Sequence, residues 1–471
     1  MALMFPQDAC NDVIIIGAGF SRALSASMPL TDELGNESVG AAGLGTGERV
    51  PIGGFTGGRF EEWLSRLAEN QPDLSDLENA SNRVLFLRVT GAIHDVLSRR
   101  QAVTLKERFP SWISDFVGTL HERRSTVLSF NYDNLLEYAI GARRPWSWSA
   151  RAVVEWDDVV NDLPPSMGLA ASVPPTFRLL KLHGSLNWYW VADDASGATL
   201  SRWQLPGAEG QPMPDDHERR HRRLPGRVPF LVPPASSKSS YYRNPIMREL
   251  WQQSARALRE THRLILLGYS IPSADFVVSG VLRDSLGGRA VRVEIINPEP
   301  DPVHRRVDSL GLPEAQVVEN GGGPATLDAV ERFVTSYRDD ASGELSTFIT
   351  STLQREDAVR DKPLLVSWSS QWAGAVLGAT PTPDGSDVIL DVEGPTSGSV
   401  ATARRESQAS PLTLGELVSV ISPGQRLVAR TNEQGEFVLV AAATQFCETG
   451  YAGEWQVLVP AGQDPRRPGE G

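Results

Sequence analysis

Cysteine is nearly absent, with Cys10 and Cys447 the only 2 in 471 residues. They form no Cys-x-x-Cys pair, which excludes a zinc ribbon and a disulfide framework and predicts no metal centre. A reducing cytoplasm is the expected home. Long apolar runs are missing too. No segment approaches the roughly 20 residues of a membrane helix, and no basic stretch precedes an apolar one at the N-terminus, so neither a membrane span nor a signal peptide is predicted. Positive charge is in deficit, with 45 Lys plus Arg against 58 Asp plus Glu and a net charge of −13. Such a chain repels nucleic acid, and no direct contact with it is expected. No histidine follows His304, which leaves the C-terminal part without an evident catalytic set.

What is present is an ordinary globular composition, 41% hydrophobic and 22% charged. The length exceeds one typical domain, and two are expected. The chain is organised around Asp12-Val13-Ile14-Ile15-Ile16-Gly17-Ala18-Gly19-Phe20-Ser21. An unbroken β-branched run reads as a central strand buried on both faces. The Gly-x-Gly turn lets the backbone approach a ligand closely, and a following helix would aim free N–H groups at a phosphate. A dinucleotide is the first candidate, against a tight turn with no ligand. The usual fingerprint has a third Gly or Ala where this chain has Arg22, which argues against an ordinary dehydrogenase.

Further on, Ser25 to Leu34 predicts a short helix with Pro29 in its first turn. Glycine-rich Gly40 to Gly58 predicts a mobile loop, either a passive linker or a lid. From Arg59 to Glu122 the spacing of Phe60, Trp63, Leu64 and Leu67, then of Val84 to Leu97, predicts a helical insertion at about 59–122. Strands are predicted at Thr126–Phe130, Phe177–His183, Val228–Val232, Leu264–Tyr269 and Val291–Asn297, with helices between. This alternation predicts an α/β fold over residues 1–345, a Rossmann-like, doubly wound, mostly parallel sheet. Ligands in such sheets bind at the carboxyl ends of the strands. The polar residues Ser21, Asn131, Asp133, His183, Ser270 and Asn297 collect there. Short strand signals separated by turns, such as Pro383-Asp384-Gly385, predict a small all-β domain at 360–462 for assembly or regulation, and residues 463–471 a disordered tail.

Four strand-end motifs carry chemistry: Gly17-Ala18-Gly19-Phe20-Ser21, Phe130-Asn131-Tyr132-Asp133, His183-Gly184-Ser185 and Gly268-Tyr269-Ser270. Together, over roughly residues 10–300, they resemble the sirtuin fold, most closely the sirtuin-like NAD-hydrolysing proteins of bacterial antiphage defence. The resemblance implies that Gly17, Ala18, Gly19, Phe20 and Ser21 hold the phosphates and ribose of NAD. It implies that Gly268 and Ser270 also bind the dinucleotide, that Asn131 and Asp133 line the nicotinamide and ribose pocket, and that His183 is catalytic; Asn297, at the end of its strand, is expected to bind the dinucleotide as well. The residue types suit these roles. An imidazole takes a proton from water or a ribose hydroxyl near neutrality, and a neutral amide orients either without quenching a developing cation. Asp133 accepts a hydrogen bond from the nicotinamide amide or balances the cation; as the alternative, it caps the following helix. The four-cysteine zinc module of protein-deacylating sirtuins cannot exist here, which favours plain hydrolysis.

His217-Glu218-Arg219-Arg220-His221 matches a zinc-protease pattern, but prolines flank it and no apolar stripe could bury such a helix, so a charged surface loop is expected. Trp188, Tyr189 and Trp190 read as core rather than a stacking platform. Lys238, Tyr241, Tyr242 and Arg243 read as a loop and helix start, with phosphate contact as the alternative. The expected function is hydrolysis of NAD to nicotinamide and ADP-ribose by a gated, NAD-depleting effector of abortive infection. Analogy adds a homo-oligomer and a partner such as a HerA-type ATPase, an Argonaute or another phage sensor. The rivals are an NAD-dependent deacylase or ADP-ribosyltransferase, and a non-catalytic module sensing NAD or ADP-ribose.

Overall fold

Val13, Ile14, Ile15 and Ile16 form a central strand in which every residue is buried. Alternate side chains enter two separate cores, Ile14 and Ile16 one, Val13 and Ile15 the other. This is why the run has no polar alternation: both faces of the strand are covered by helices. The computed structural model describes residues 3–4, 12–44, 50–123, 125–143, 177–192, 194, 196–202, 226–236, 238–273, 275–319, 326–353, 365–368, 372–392, 396–397, 410, 412–431, 435–438, 445–446 and 456–458. The His217–His221 pattern, both cysteines and the 463–471 tail lie outside the described residues.

In chain order the elements are β1 (Leu3–Met4), β2 (Val13–Ile16), α1 (Ala18–Leu24), α2 (Thr31–Ala41), α3 (Phe60–Ala68), α4 (Asp76–Thr104), α5 (Trp112–Glu122), β3 (Thr126–Ser129), α6 (Leu135–Arg143), β4 (Arg178–Lys181), β5 (Gly184–Trp190), β6 (Ser201–Arg202) and β7 (Val228–Leu231). Next come α7 (Ser239–Tyr242), α8 (Pro245–Glu260), β8 (Arg263–Leu267), α9 (Phe276–Leu286), β9 (Arg292–Ile296), α10 (Pro300–Ser309), β10 (Gln316–Glu319) and α11 (Thr326–Leu353). The main sheet has the order β10-β9-β8-β2-β3-β4, all parallel. Counted along the chain, this is the Rossmann order 3-2-1-4-5-6, whose switch point lies between β2 and β8. Register aligns the strand ends: Ile16 pairs with Ser129 and with Leu267, Ser129 with Lys181, and Leu267 with Ile296.

Several local expectations are corrected. Ser25–Leu34 is not one helix. α1 starts directly after Gly17, and α2 begins only at Thr31, where Glu33 reaches back to the Leu30 N–H. The loop expected from Gly40 is helix as far as Ala41. Within 50–59, Phe55 packs 5.5 Å from Phe60 and 5.4 Å from Trp63, so an aromatic anchor outweighs the glycine content. The Val228–Val232 strand does not join the parallel sheet. β7 pairs antiparallel with β5 in a three-stranded sheet that also holds β6.

The C-terminal region forms a second sheet from β11 (Leu365–Trp368), β12 (Trp372–Pro381), β13 (Asp387–Val392), β14 (Thr396–Ser397), β15 (Arg426–Thr431), β16 (Gly435–Val438) and β18 (Gln456–Leu458), while β17 (Gln445–Phe446) pairs with β1. It is not purely β. The pair β13–β15 is parallel, which requires a crossover, and α12 (Leu414–Val420) lies in that connection. α11 runs unbroken through position 345, the expected end of the first domain. Its Asp339 takes Arg426 of β15 at 2.6 Å, and its Gly343 packs on the Gly424 carbonyl.

Candidate functional site

Because the register aligns the strand ends, the residues that follow them share one rim. A cavity of about 690 Å³ opens there, within the roughly 300–1,000 Å³ of small-molecule sites. Gly17, Ala18, Gly19, Ser21, Asn131, Asp133, His183, Gly268, Ser270 and Asn297 all line it. Phe20 does not. Its ring is buried 6.0 Å from Trp112 and 5.6 Å from Phe116, because position 20 of α1 faces the helical layer. Asn297 is partly engaged by its own turn, accepting the Glu299 N–H at 3.0 Å.

The glycine turn is built differently from the expectation of free donors. The Gly19 N–H donates to the Gly268 carbonyl at 3.0 Å, and the Phe20 N–H to the Gly17 carbonyl at 2.9 Å. A Cβ on Gly17 would lie 2.7 Å from the Gly268 oxygen, and one on Gly19 2.8 Å from the Gly268 Cα. Gly268 itself has φ +62°. The glycines therefore let the turns after β2 and β8 touch at the switch point. Nearby, the buried β-branched Ile271 has φ +50°, a strained conformation of the kind that collects at functional sites.

One wall is a hydrogen-bonded set. The Asn131 amide donates to the Gly17 carbonyl at 2.8 Å and to Ser21 Oγ at 2.9 Å. Ser21 Oγ donates to Asp133 Oδ2 at 2.7 Å. Asp133 Oδ1 accepts the Leu135 N–H at 3.2 Å, so the capping role is also realised. Lys181 donates to the Asp133 carbonyl and pairs with Glu137 at 3.2 Å. Burial raises the Asp133 pKa against the opposing pull of Lys181 and Ser21.

His183 lines the same cavity beside a second charged set. Its ring meets Phe130 edge-on at 4.9 Å and stacks on Tyr132 at 6.3 Å. Its Nε2 lies 3.4 Å from Lys238 Nζ and 3.4 Å from Asp275 Oδ2. Lys238 and Asp275 pair at 2.9 Å. Burial, then the Lys238 charge, pushes His183 well below its ordinary pKa, so the imidazole is neutral at pH 7. Burial raises Asp275, opposed by Lys238.

Sequence reading did not single out Asp275 or Glu61 as site residues and gave Lys238 a phosphate contact only as the alternative. Asp275 follows the Gly268-Tyr269-Ser270 motif by five positions, which was a usable signal. Lys238 stood in a segment read mainly as a loop, and nothing local marks Glu61, which arrives from the helical insertion. Trp188, Tyr189 and Trp190 are buried as expected. Tyr241 and Tyr242 pack on Trp190 and Trp251. Among the described residues there is no metal-binding group of three or more His, Cys, Asp or Glu, and no helix is long and apolar enough to cross a membrane. The sheet order and the cavity define an α/β protein of Rossmann-like fold with a site at the switch point. No family model and no curated protein matches the chain.

Proposed function

We propose that this chain is a sirtuin-like hydrolase that cleaves NAD to nicotinamide and ADP-ribose. The observation that supports it is convergence. Four motifs spread from Gly17 to Ser270 line one cavity at the carboxyl end of a Rossmann-ordered sheet, the place where such sheets take nucleotides. Nicotinamide leaves without needing a proton, so the site must stabilise a cationic sugar and admit a nucleophile. His183 lines the cavity, and burial with the Lys238 charge keeps its ring neutral, able to accept a hydrogen bond from water or a ribose hydroxyl. Asn131, fixed by Gly17 and Ser21, is placed as an orienting amide, and Asp133 as a nearby anion. NAD enters as substrate. By the same resemblance we place the enzyme in the cytoplasm as a gated, oligomeric antiphage effector with a sensor partner.

The test is nicotinamide release from NAD by the purified chain, with and without candidate partners, followed by chromatography. His183→Ala is expected to lower turnover by about 10²- to 10⁴-fold, and Asn131→Ala to lower kcat more than it raises KM. Near-normal turnover by folded His183→Ala protein would sink the assignment.

A further inference from the structure

Six carboxylates line the cavity: Asp32, Glu33, Glu61, Asp133, Asp275 and Glu299. Most are engaged. Asp32 accepts the Phe60 N–H at 2.9 Å, and Glu33 holds Arg22 and the Leu30 N–H. Asp133 holds Ser21 and the Leu135 N–H, and Asp275 holds Lys238. Glu299 is exposed. Glu61 differs. It is half-buried, and among the described residues its carboxylate has no hydrogen-bond or ion-pair partner. It sits in the first turn of α3, whose Phe60, Trp63, Leu64 and Leu67 are buried. That anchored face fixes where Glu61 stands. His183 meanwhile turns its Nε2 to the Lys238–Asp275 pair.

We propose that Glu61 is the proton acceptor for the water that attacks the sugar, a role that rests on the NAD hydrolysis proposed above. The C1′–N bond breaks and nicotinamide leaves neutral with the electron pair. A C1′–O bond forms to water, and the water's proton passes to the Glu61 carboxylate and then to solvent. His183 then serves the ribose hydroxyl. The groups whose charges act on Glu61, or on which it acts, are Lys238 before α7, Asp275 before α9, Asp32 on α2, Arg306 on α10, and the phenols of Tyr132 and Tyr269. Burial, with Asp275 and Asp32, raises Glu61 to about 7 against Lys238 and Arg306, a value matched to a base working near neutrality.

The experiment compares the full chain with Glu61→Gln across pH. In the wild type, kcat should rise as pH passes through about 7, where Glu61 loses its proton. Glu61→Gln should lose this limb and about 10²- to 10⁴-fold in kcat, with KM little changed. Stability gives a readout independent of turnover. A carboxyl raised in the folded state binds more protons there than in the unfolded chain, so wild-type stability falls as pH rises from the ordinary Glu range through about 7. Glu61→Gln lacks this fall and should melt higher than wild type at pH about 8 but not at pH about 4. If Glu61→Gln does not fold, Glu61→Asp should keep the pH limb at reduced kcat, and loss of that limb overturns the role. Full turnover by folded Glu61→Gln with its pH limb intact overturns the role of Glu61 and leaves NAD hydrolysis standing. Absence of nicotinamide release by the wild type at every pH, with and without candidate partners, overturns both. Identical melting profiles for the two chains also overturn it, because Glu61 then titrates as an ordinary carboxylate.

Discussion

Gly268 concentrates the residue-scale logic of the site. Its φ of +62° suits glycine, and a Cβ there would lie 2.3 Å from the Phe20 nitrogen. Alanine must therefore push the β8 turn away from α1. The cost should be on the order of 2–4 kcal/mol, combining left-handed strain with overpacking. Urea unfolding of Gly268→Ala measures it, and a loss under about 0.5 kcal/mol would mean that the two turns are not interlocked. The same contact makes a functional point. Gly17 and Gly19 are small because Gly268 is close, whatever the ligand, so the Gly-x-Gly spelling alone was ambiguous between a phosphate cradle and a turn-to-turn contact.

At the scale of elements, α11 joins the two sheets. Its Tyr337 is fully buried, with its hydroxyl donating to Asp12 Oδ2 at 2.8 Å and accepting from Ser125 Oγ at 2.8 Å. Asp12 also receives Arg123 at 2.8 Å, and the guanidinium groups of Arg123 and Arg263 lie 4.8 and 5.2 Å from the Tyr337 ring. This network sits before β2, at the end of the sheet away from the cavity. Tyr337→Phe removes one hydroxyl from a buried charged set and should cost about 1–3 kcal/mol. Denaturant unfolding checks that value. The proposed NAD cleavage should keep its KM at low temperature, since the strand ends that line the site are untouched.

For the whole molecule, the second sheet leans on the first through α11, by Arg426 to Asp339 and by Gly343 against Gly424. β1, from the very start of the chain, pairs with β17 near its end. Removing residues 360–471 should leave the parallel sheet folded by circular dichroism, with a lower Tm because α11 loses these contacts. It should also change the oligomeric mass or the response to partners, read by light scattering and by NAD cleavage. A truncated chain that matches the full one in mass, Tm, basal rate and activation would remove any assembly or control role.

Much of this was written in local pattern. Unbroken apolar runs at Val13–Ile16 and Leu264–Leu267 specify buried strands because burial on two faces leaves no place for a polar residue, and each run ends where its cavity residues begin. Asn131, Asp133 and His183 were legible for that reason. Pairing was not. Val228–Val232 reads like the parallel strands, yet β7 pairs with β5, because a partner is chosen by distant backbone and not by the strand's own residues. Phe20 illustrates the same limit, since the face a helical residue presents depends on how its helix docks. Glu61, Lys238 and Asp275 come from three separate segments; Lys238 and Asp275 meet at His183 only when the turn before α7 and the cap of α9 close together, and α3 brings Glu61 to the same cavity. The sequence by itself determined the strands and the polar residues at their ends, which follow from local periodicity. The tertiary structure alone decided which charges share the cavity and that, among the described residues, the half-buried Glu61 carboxylate has no partner in it, because that depends on docking between segments far apart in the chain.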